Sequence, residues 1–155
     1  MSIKWEKVGM IFFGTYKHSL DSKNRLALPA KFIEKLKKTV YLTKGFDGCL
    51  ELRNEDSFKE YCEKLLSLES NSNDVRQVQR VFLSSTNKID IDVSNRILLP
   101  TNLMEKVDIK KNVTIIGVGN HIEIWDEEKY SKYEKDAEQK YEEASLNIAN
   151  TYGKK

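Results

Sequence analysis

Residues 20–32 read LDSKNRLALPAKF, and residues 91–103 read IDVSNRILLPTNL. Aligning residues 15–33 with residues 86–104 at a constant offset of 71 gives seven identities in nineteen positions. They are Thr15/Thr86, Lys17/Lys88, Asp21/Asp92, Asn24/Asn95, Arg25/Arg96, Leu28/Leu99 and Pro29/Pro100, and other positions exchange like for like, as Leu20 with Ile91 and Phe32 with Leu103. The chain has two prolines, and they occupy equivalent places. After a small indel VYLTKG answers VTIIGV, CLELR answers HIEIWD, and EDSFKEYCEKL answers EEKYSKYEKDA. The chain therefore holds two copies of one unit of about seventy residues, and two copies suit a pseudo-twofold domain better than a long stacked array.

Each copy reads as β-β-α-β-β followed by a helix. YKHSLDS and KIDIDVS are short strands running into polar turns, with Ile89 and Ile91 alternating against Asp90 and Asp92. RLALP and RILLP are second strands that end at proline, which suits a first helical position because its missing N–H costs nothing there. Phe32, Ile33 and Leu36 share one face of the next helix. TVYLT and NVTIIGV are β-rich, and in the last strands Leu50/Leu52 and Ile122/Ile124 alternate about Glu51 and Glu123. The division expected is an N-terminal extension at 1–9, a first repeat at 10–53, a helical connector at 54–83, a second repeat at 84–126, and a C-terminal helix and tail at 127–155.

The connecting helices read as packing elements. Phe58, Tyr61, Cys62, Leu65 and Leu66 step by three and four. Asp74 is placed to cap a short helix whose Val75, Val78, Val81 and Phe82 face inward. Tyr130, Tyr133, Ala137, Tyr141, Ala144 and Ile148 form one stripe on a Lys/Glu-rich segment, read either as packing within its own subunit or as a subunit joint. Residues 150–155 read as a frayed tail.

At 155 residues, 39% hydrophobic and 32% charged, the chain is sized and balanced for one soluble globular domain. Its apolar runs are too short to span a bilayer, and its start lacks a signal peptide's apolar core, so a cytoplasmic location without membrane is expected. Cys49 and Cys62 have no metal-ligand spacing and read as two buried thiols. His18 and His121 fall at non-equivalent repeat positions and read as strand-surface side chains, so no metal, cofactor or small-molecule substrate is expected.

Within the repeated phrase, each Asp can hold the turn by accepting from its N–H groups and from the Arg four residues on. Asn24 and Asn95 suit positions of positive φ. Arg25 and Arg96 present two planar forks that can recognise phosphate or guanine bidentately. A shared-proton carboxylate dyad of Asp21 and Asp92 is the enzymatic alternative. It is disfavoured because the neighbouring arginines keep both acids ionised, and no nucleophile triad or glycine-rich phosphate loop accompanies them, so no catalytic residue is assigned. The net charge is only +2, but residues 15–40 carry seven basic residues against two acids, whereas residues 84–112 carry five against four. Combined with duplicated arginine loops, that excess points to double-stranded DNA.

GTYKHSLDSKNRLALPAKF and NKIDIDVSNRILLPTNL resemble the two D-x-x-x-R motifs of the MraZ family, bacterial transcription regulators of the division and cell-wall gene cluster. The resemblance extends from about Met10 to Ile148, including GCLELR and IEIWD. It implies an α+β, AbrB-like swapped-hairpin β-barrel of two pseudo-symmetric halves with added packing helices. It also implies a ring-shaped homo-oligomer that binds tandem short repeats in its own promoter, in the nucleoid. By position it makes Arg25 and Arg96 the DNA-reading arginines, with Lys23 and Asn24 beside the first and Ser94 and Asn95 beside the second; Lys31 and Lys35, on the helix behind the loop, are read from the sequence itself as candidates for phosphate contact. Asp21 and Asp92 become loop-ordering residues. Residues 10–14 match the usual family start, Thr15 replaces a common acid, and Asn24 replaces a common Gly. Ser94 stands where the first motif has Lys23, so unequal loops are expected. An AbrB-type antitoxin-like DNA-binding protein, and a ring-forming scaffold without DNA, remain open alternatives.

Overall fold

The computed structural model describes residues 10–153; the extension read at residues 1–9 lies outside the described residues. The first copy gives β1 (Thr15–Ser19), β2 (Arg25–Ala27), α1 (Ala30–Leu36), β3 (Thr39–Lys44), β4 (Leu50–Asn54) and α2 (Glu55–Leu66). Helix α3 (Asn73–Ser85) follows. The second copy gives β5 (Asn87–Asp90), β6 (Arg96–Leu98), α4 (Thr101–Lys106), β7 (Asn112–Gly117), β8 (Ile122–Asp126) and α5 (Glu127–Tyr152). The result is a mixed α+β architecture with antiparallel strands and five helices among the described residues. Among those residues no helix is long and apolar enough to cross a membrane.

The pairing crosses between the halves. In the six-stranded sheet, ordered β1-β7-β8-β4-β3-β5, the first strand of each half lies against the third strand of the other. Tyr16 pairs with Ile115 and Lys17 with Thr114, while Val40 pairs with Ile89 and Tyr41 with Lys88. The hairpins of the two halves meet at the sheet centre, where Glu51 stands opposite Glu123. β2 and β6 form a separate ribbon, with Leu26 opposite Ile97. Neither half can complete its sheet alone.

One face of the sheet carries Val40, Leu42, Leu50, Leu52, Val113, Ile115, Ile122 and Ile124 into a single core closed by Leu26, Ile97, Leu28, Leu99, Phe32 and Leu103. The ribbon and the two short helices form the other side of that core because both prolines bring the chain back over it. Pro29 and Pro100 are helix caps, one residue earlier than the first-turn position read from the sequence, and each helix starts at the following residue.

The opposite sheet face is also covered, by α2, α3 and α5, and here several expectations change. Glu51 and Arg53 are 6% and 3% exposed and form an ion pair (Nη1–Oε1 2.8 Å). The Arg53 guanidinium lies 4.3 Å from the Tyr61 ring and also faces Phe82. Tyr41 stacks on Phe58. Ser72, rather than Asp74, caps α3, and of its stripe only Phe82 is buried; Val78 and Val81 are exposed. Leu66 is exposed. The tyrosine stripe divides: Tyr130 and Tyr133 pack on Trp125 of their own chain, while Tyr141 and Ile148 lie on an exposed part of α5. Residues 150–152 are helical rather than frayed, and the Gly153 N–H donates to the Ala149 carbonyl. Cys49 is buried but Cys62 is only half-buried, and both are free thiols.

Candidate nucleic-acid interface

The two repeated loops are built by the same hydrogen bonds. Asp21 Oδ1 accepts from the backbone N–H of Lys23 and of Arg25, both at 2.9 Å, and Oδ2 accepts from Arg25 Nε at 2.7 Å. Asp92 Oδ1 accepts from the N–H of Ser94 (2.9 Å) and Arg96 (2.8 Å), and Oδ2 from Arg96 Nε at 3.0 Å. The turn closes where the Asn24 and Asn95 N–H groups donate to the Asp21 and Asp92 carbonyls. Asn24 and Asn95 take φ of 59° and 62°, a left-handed conformation that Asn tolerates better than most residues.

These bonds also set the charge state. Backbone N–H donation from Arg25 leads the causes that hold Asp21 well below the usual carboxylate range, at about 2. Asp92 is lowered chiefly by the same bond from Arg96. Both acids are ionised at neutral pH, which removes the shared-proton dyad.

The loops lie side by side. The Leu28 N–H donates to the Asn95 carbonyl and the Leu99 N–H to the Asn24 carbonyl, at 2.9 and 3.0 Å. Arg96 Nη1 stands 3.6 Å from Asp21 Oδ2, so one carboxylate faces both arginines. Arg25 and Arg96 are half-buried rather than fully exposed, with side chains 34% and 31% accessible. Each is held to its own Asp through Nε, so the terminal Nη edge is not spent on that bond. A guanidinium pinned through Nε is fixed in direction, and the Nη nitrogens not facing Asp21 are left for a planar acceptor pair. Lys23, Ser94 and Asn95 are exposed beside it, and Asn24 is half-buried.

Crosswise pairing redistributes the lysines. The Ile91 N–H donates to the Lys38 carbonyl, and the Leu20 N–H to the Lys111 carbonyl. A groove lined by Lys37, Lys38, Asp90, Asp92 and Asn95 runs beside the second loop. Lys37 and Lys38, counted with the first motif in the linear sequence, thus flank the second loop, and Lys111 of the second half stands by the first. The basic residues counted with the first motif along the chain are thus shared between the two loops in space. Lys31 on α1 is exposed, but Lys35 turns inward: its ammonium donates to the Ile11 carbonyl at 2.8 Å and faces the Phe12 and Phe13 rings. Lys35 is therefore a packing residue and leaves the phosphate-facing set.

A family model described as "MraZ protein, putative antitoxin-like" matches residues 11–81 and again residues 82–149. The chain belongs to the MraZ family. Each matched segment of the MraZ model contains one Asp-Asn-Arg loop. A protein of Mesoplasma florum named transcriptional regulator MraZ is 41% identical over 140 residues, 90% of this chain and 96% of its own length. One of Syntrophomonas wolfei with the same name is 41% identical over 140 residues, 90% of this chain and 98% of its own. A third, of Mycoplasma mycoides, is 42% identical over 123 residues, 79% of this chain and 92% of its own.

Sequence reasoning missed one cluster. His121 is not a surface side chain: its ring is 14% accessible, and Nε2 faces Glu51 Oε2 at 3.9 Å and Glu123 Oε2 at 3.7 Å. The repeat alignment sets Glu51 against Glu123 and Cys49 against His121. That alignment was the available signal, but it does not tell which face of the sheet is covered.

Proposed function

We propose that the chain is a DNA-binding transcriptional regulator that reads short tandem repeats in its own promoter, at the division and cell-wall gene cluster, as a nucleoid-associated homo-oligomeric ring. The observation that carries this reading is the pair of adjacent loops, each ordered by the same three carboxylate bonds, two of which hold Arg25 or Arg96. The names of the MraZ relatives support the regulatory part. The crosswise pairing of first strands supports describing the fold as an AbrB-like swapped-hairpin barrel.

In this mechanism Arg25 and Arg96 offer their terminal guanidinium edges to guanine O6/N7 or to phosphate. Lys23, Asn24, Ser94 and Asn95 contact the neighbouring backbone and base edges, and Lys31, Lys37 and Lys38 neutralise phosphates. Asp21 and Asp92 touch no DNA; they fix arginine direction, so less side-chain entropy is lost on binding. One loop pair reads few base pairs, and repetition in a ring supplies affinity through avidity. Tyr141 and Ile148 on the exposed part of α5 are the surface offered for subunit contact.

Mobility shift of the purified full chain on duplexes with tandem repeats from its own promoter, and on scrambled duplexes, tests the proposal. Arg25→Ala and Arg96→Ala each remove a bidentate contact worth about 1–3 kcal/mol per engaged subunit. Both should lose specific binding while remaining folded, with a cooperative melting transition. Wild-type affinity in both variants overturns the assignment of the arginines.

A further inference from the structure

We propose that Glu51, Glu123 and His121 form a divalent transition-metal site, suited to Zn2+, at the pseudo-twofold junction of β4 and β8. Glu51 and Glu123 are equivalent residues of the two repeats and are direct cross-strand partners. Their carboxylates face the sheet side covered by helices, with side chains 7% and 19% accessible. Arg53 offsets the charge of Glu51 on one side, but two carboxylates opposite one another and largely out of water still repel unless a positive charge lies between them.

Each glutamate is anchored through one oxygen and presents the other. Glu51 Oε1 accepts from Arg53 Nη1 at 2.8 Å, and Glu123 Oε1 accepts from Trp125 Nε1 at 3.0 Å. The remaining Oε2 atoms both face His121 Nε2. Gly45 makes room for Glu51: a Cβ there would lie 2.7 Å from Glu51 Cγ. The histidine is fixed as firmly. Its Nδ1 lies 2.7 Å from Asn120 Oδ1, and the tautomer that carries the proton on Nδ1 makes this a hydrogen bond and leaves the Nε2 lone pair facing the carboxylates. The turn carrying it is tied to α2 by Ser57 Oγ, which donates to the Asn120 carbonyl at 2.7 Å.

Nε2 is buried with no hydrogen-bond partner. A metal ion would give that nitrogen and both free carboxylate oxygens a common partner. The three donor atoms lie within 4.8 Å of one another. Tetrahedral zinc ligands at roughly 2.1 Å stand about 3.4 Å apart, so shifts of at most about 0.7 Å per donor close the set. One imidazole and two carboxylates are donors zinc accepts, leaving a fourth position for water. The Arg53, Trp125 and Asn120 contacts are the outer-shell bonds that orient ligands in such sites. The Cys49 thiol donates to the Phe46 carbonyl and stands outside the set. A metal here clips the first half to the second.

The test uses untagged full-length protein, stripped with chelator and titrated with zinc sulfate by calorimetry and by thermal melting. One zinc per chain is expected, with micromolar or tighter affinity and a melting temperature that rises by several degrees and saturates at one equivalent. His121→Ala and Glu123→Gln should each weaken binding at least tenfold, and His18→Ala should not change it. Cobalt(II) bound to the wild type should give visible bands of tetrahedral or five-coordinate intensity without a near-ultraviolet thiolate transition; this reading holds even if a variant fails to fold. Absence of saturable zinc binding, retention of it in a folded His121→Ala, or a thiolate band would each overturn the proposal.

Discussion

Replacing Arg53 with Met is the sharpest test of how the covered sheet face is held. The guanidinium is 3% exposed, and its Nη1 makes the 2.8 Å bond to Glu51 Oε1. Its plane lies 4.3 Å from the Tyr61 ring, with Phe82 beyond. Methionine keeps much of the volume and the packing on those rings, so the cavity term is small. What is lost is the countercharge of a buried carboxylate, and removing one partner of a buried ion pair costs about 3–5 kcal/mol. For a chain of this length each kcal/mol lowers the melting temperature by about 2–4 °C, so the variant should melt about 6–20 °C below the wild type. Calorimetry or far-UV circular dichroism in excess chelator reads this with any metal contribution removed. The double variant Glu51→Gln/Arg53→Met should recover most of the loss, because the uncompensated charge is then gone. A single variant melting within about 2 °C of the wild type, or a double variant no more stable than the single, refutes the buried-pair account.

The loop acids give an acid-side signature. Asp21 is lowered to about 2 from an ordinary value of 3.8, so its contribution to stability is fully present above about pH 4 and is lost as pH falls through 2. Asp21→Asn should therefore differ from wild type at pH 5 and converge with it below pH 2 in an acid melting series; a constant difference across that range rejects the linkage. In DNA binding, log K should fall with log salt by about 0.9 per phosphate neutralised. Lys31→Ala and Lys38→Ala should flatten that slope, while Lys35→Ala should lower stability and leave it unchanged; a flattened slope in Lys35→Ala rejects its inward assignment. Light scattering should give a mass several times 18.0 kDa. Inserting half a helical turn between tandem repeats should collapse the avidity; a monodisperse monomer, or indifference to the spacer, removes the ring. Thiol titration of the native protein should modify Cys62 well before Cys49, whose thiol burial pushes far up; equal rates contradict the burial of Cys49.

The sequence by itself determined whatever is settled within a few residues. The phrase from Asp21 to Arg25 closes on its own carboxylate, with Asn at the one left-handed position, and the phrase from Asp92 to Arg96 does the same. These bonds span at most four positions, so residue types and spacing are enough to specify them, and duplication makes them stand out. The succession of strands, prolines and short helices is legible for the same reason. The partners of those strands are not. Pairing of β1 with β7 joins residues nearly a hundred positions apart, and pairing of β3 with β5 brings Lys37 and Lys38 to the second loop. The alternation about Glu51 and Glu123 is that of a sheet with one wet face, but α2, α3 and α5 cover the second face and take Glu51 and Arg53 out of water. The same covering splits the tyrosine stripe, since Trp125 reaches Tyr130 and Tyr133 while α5 runs on past the sheet. It also turns His121 toward two glutamates, one of them from the other repeat. Only the tertiary structure decided these points, because which face is buried depends on the sum of contacts from elements far along the chain, and no local pattern encodes that sum.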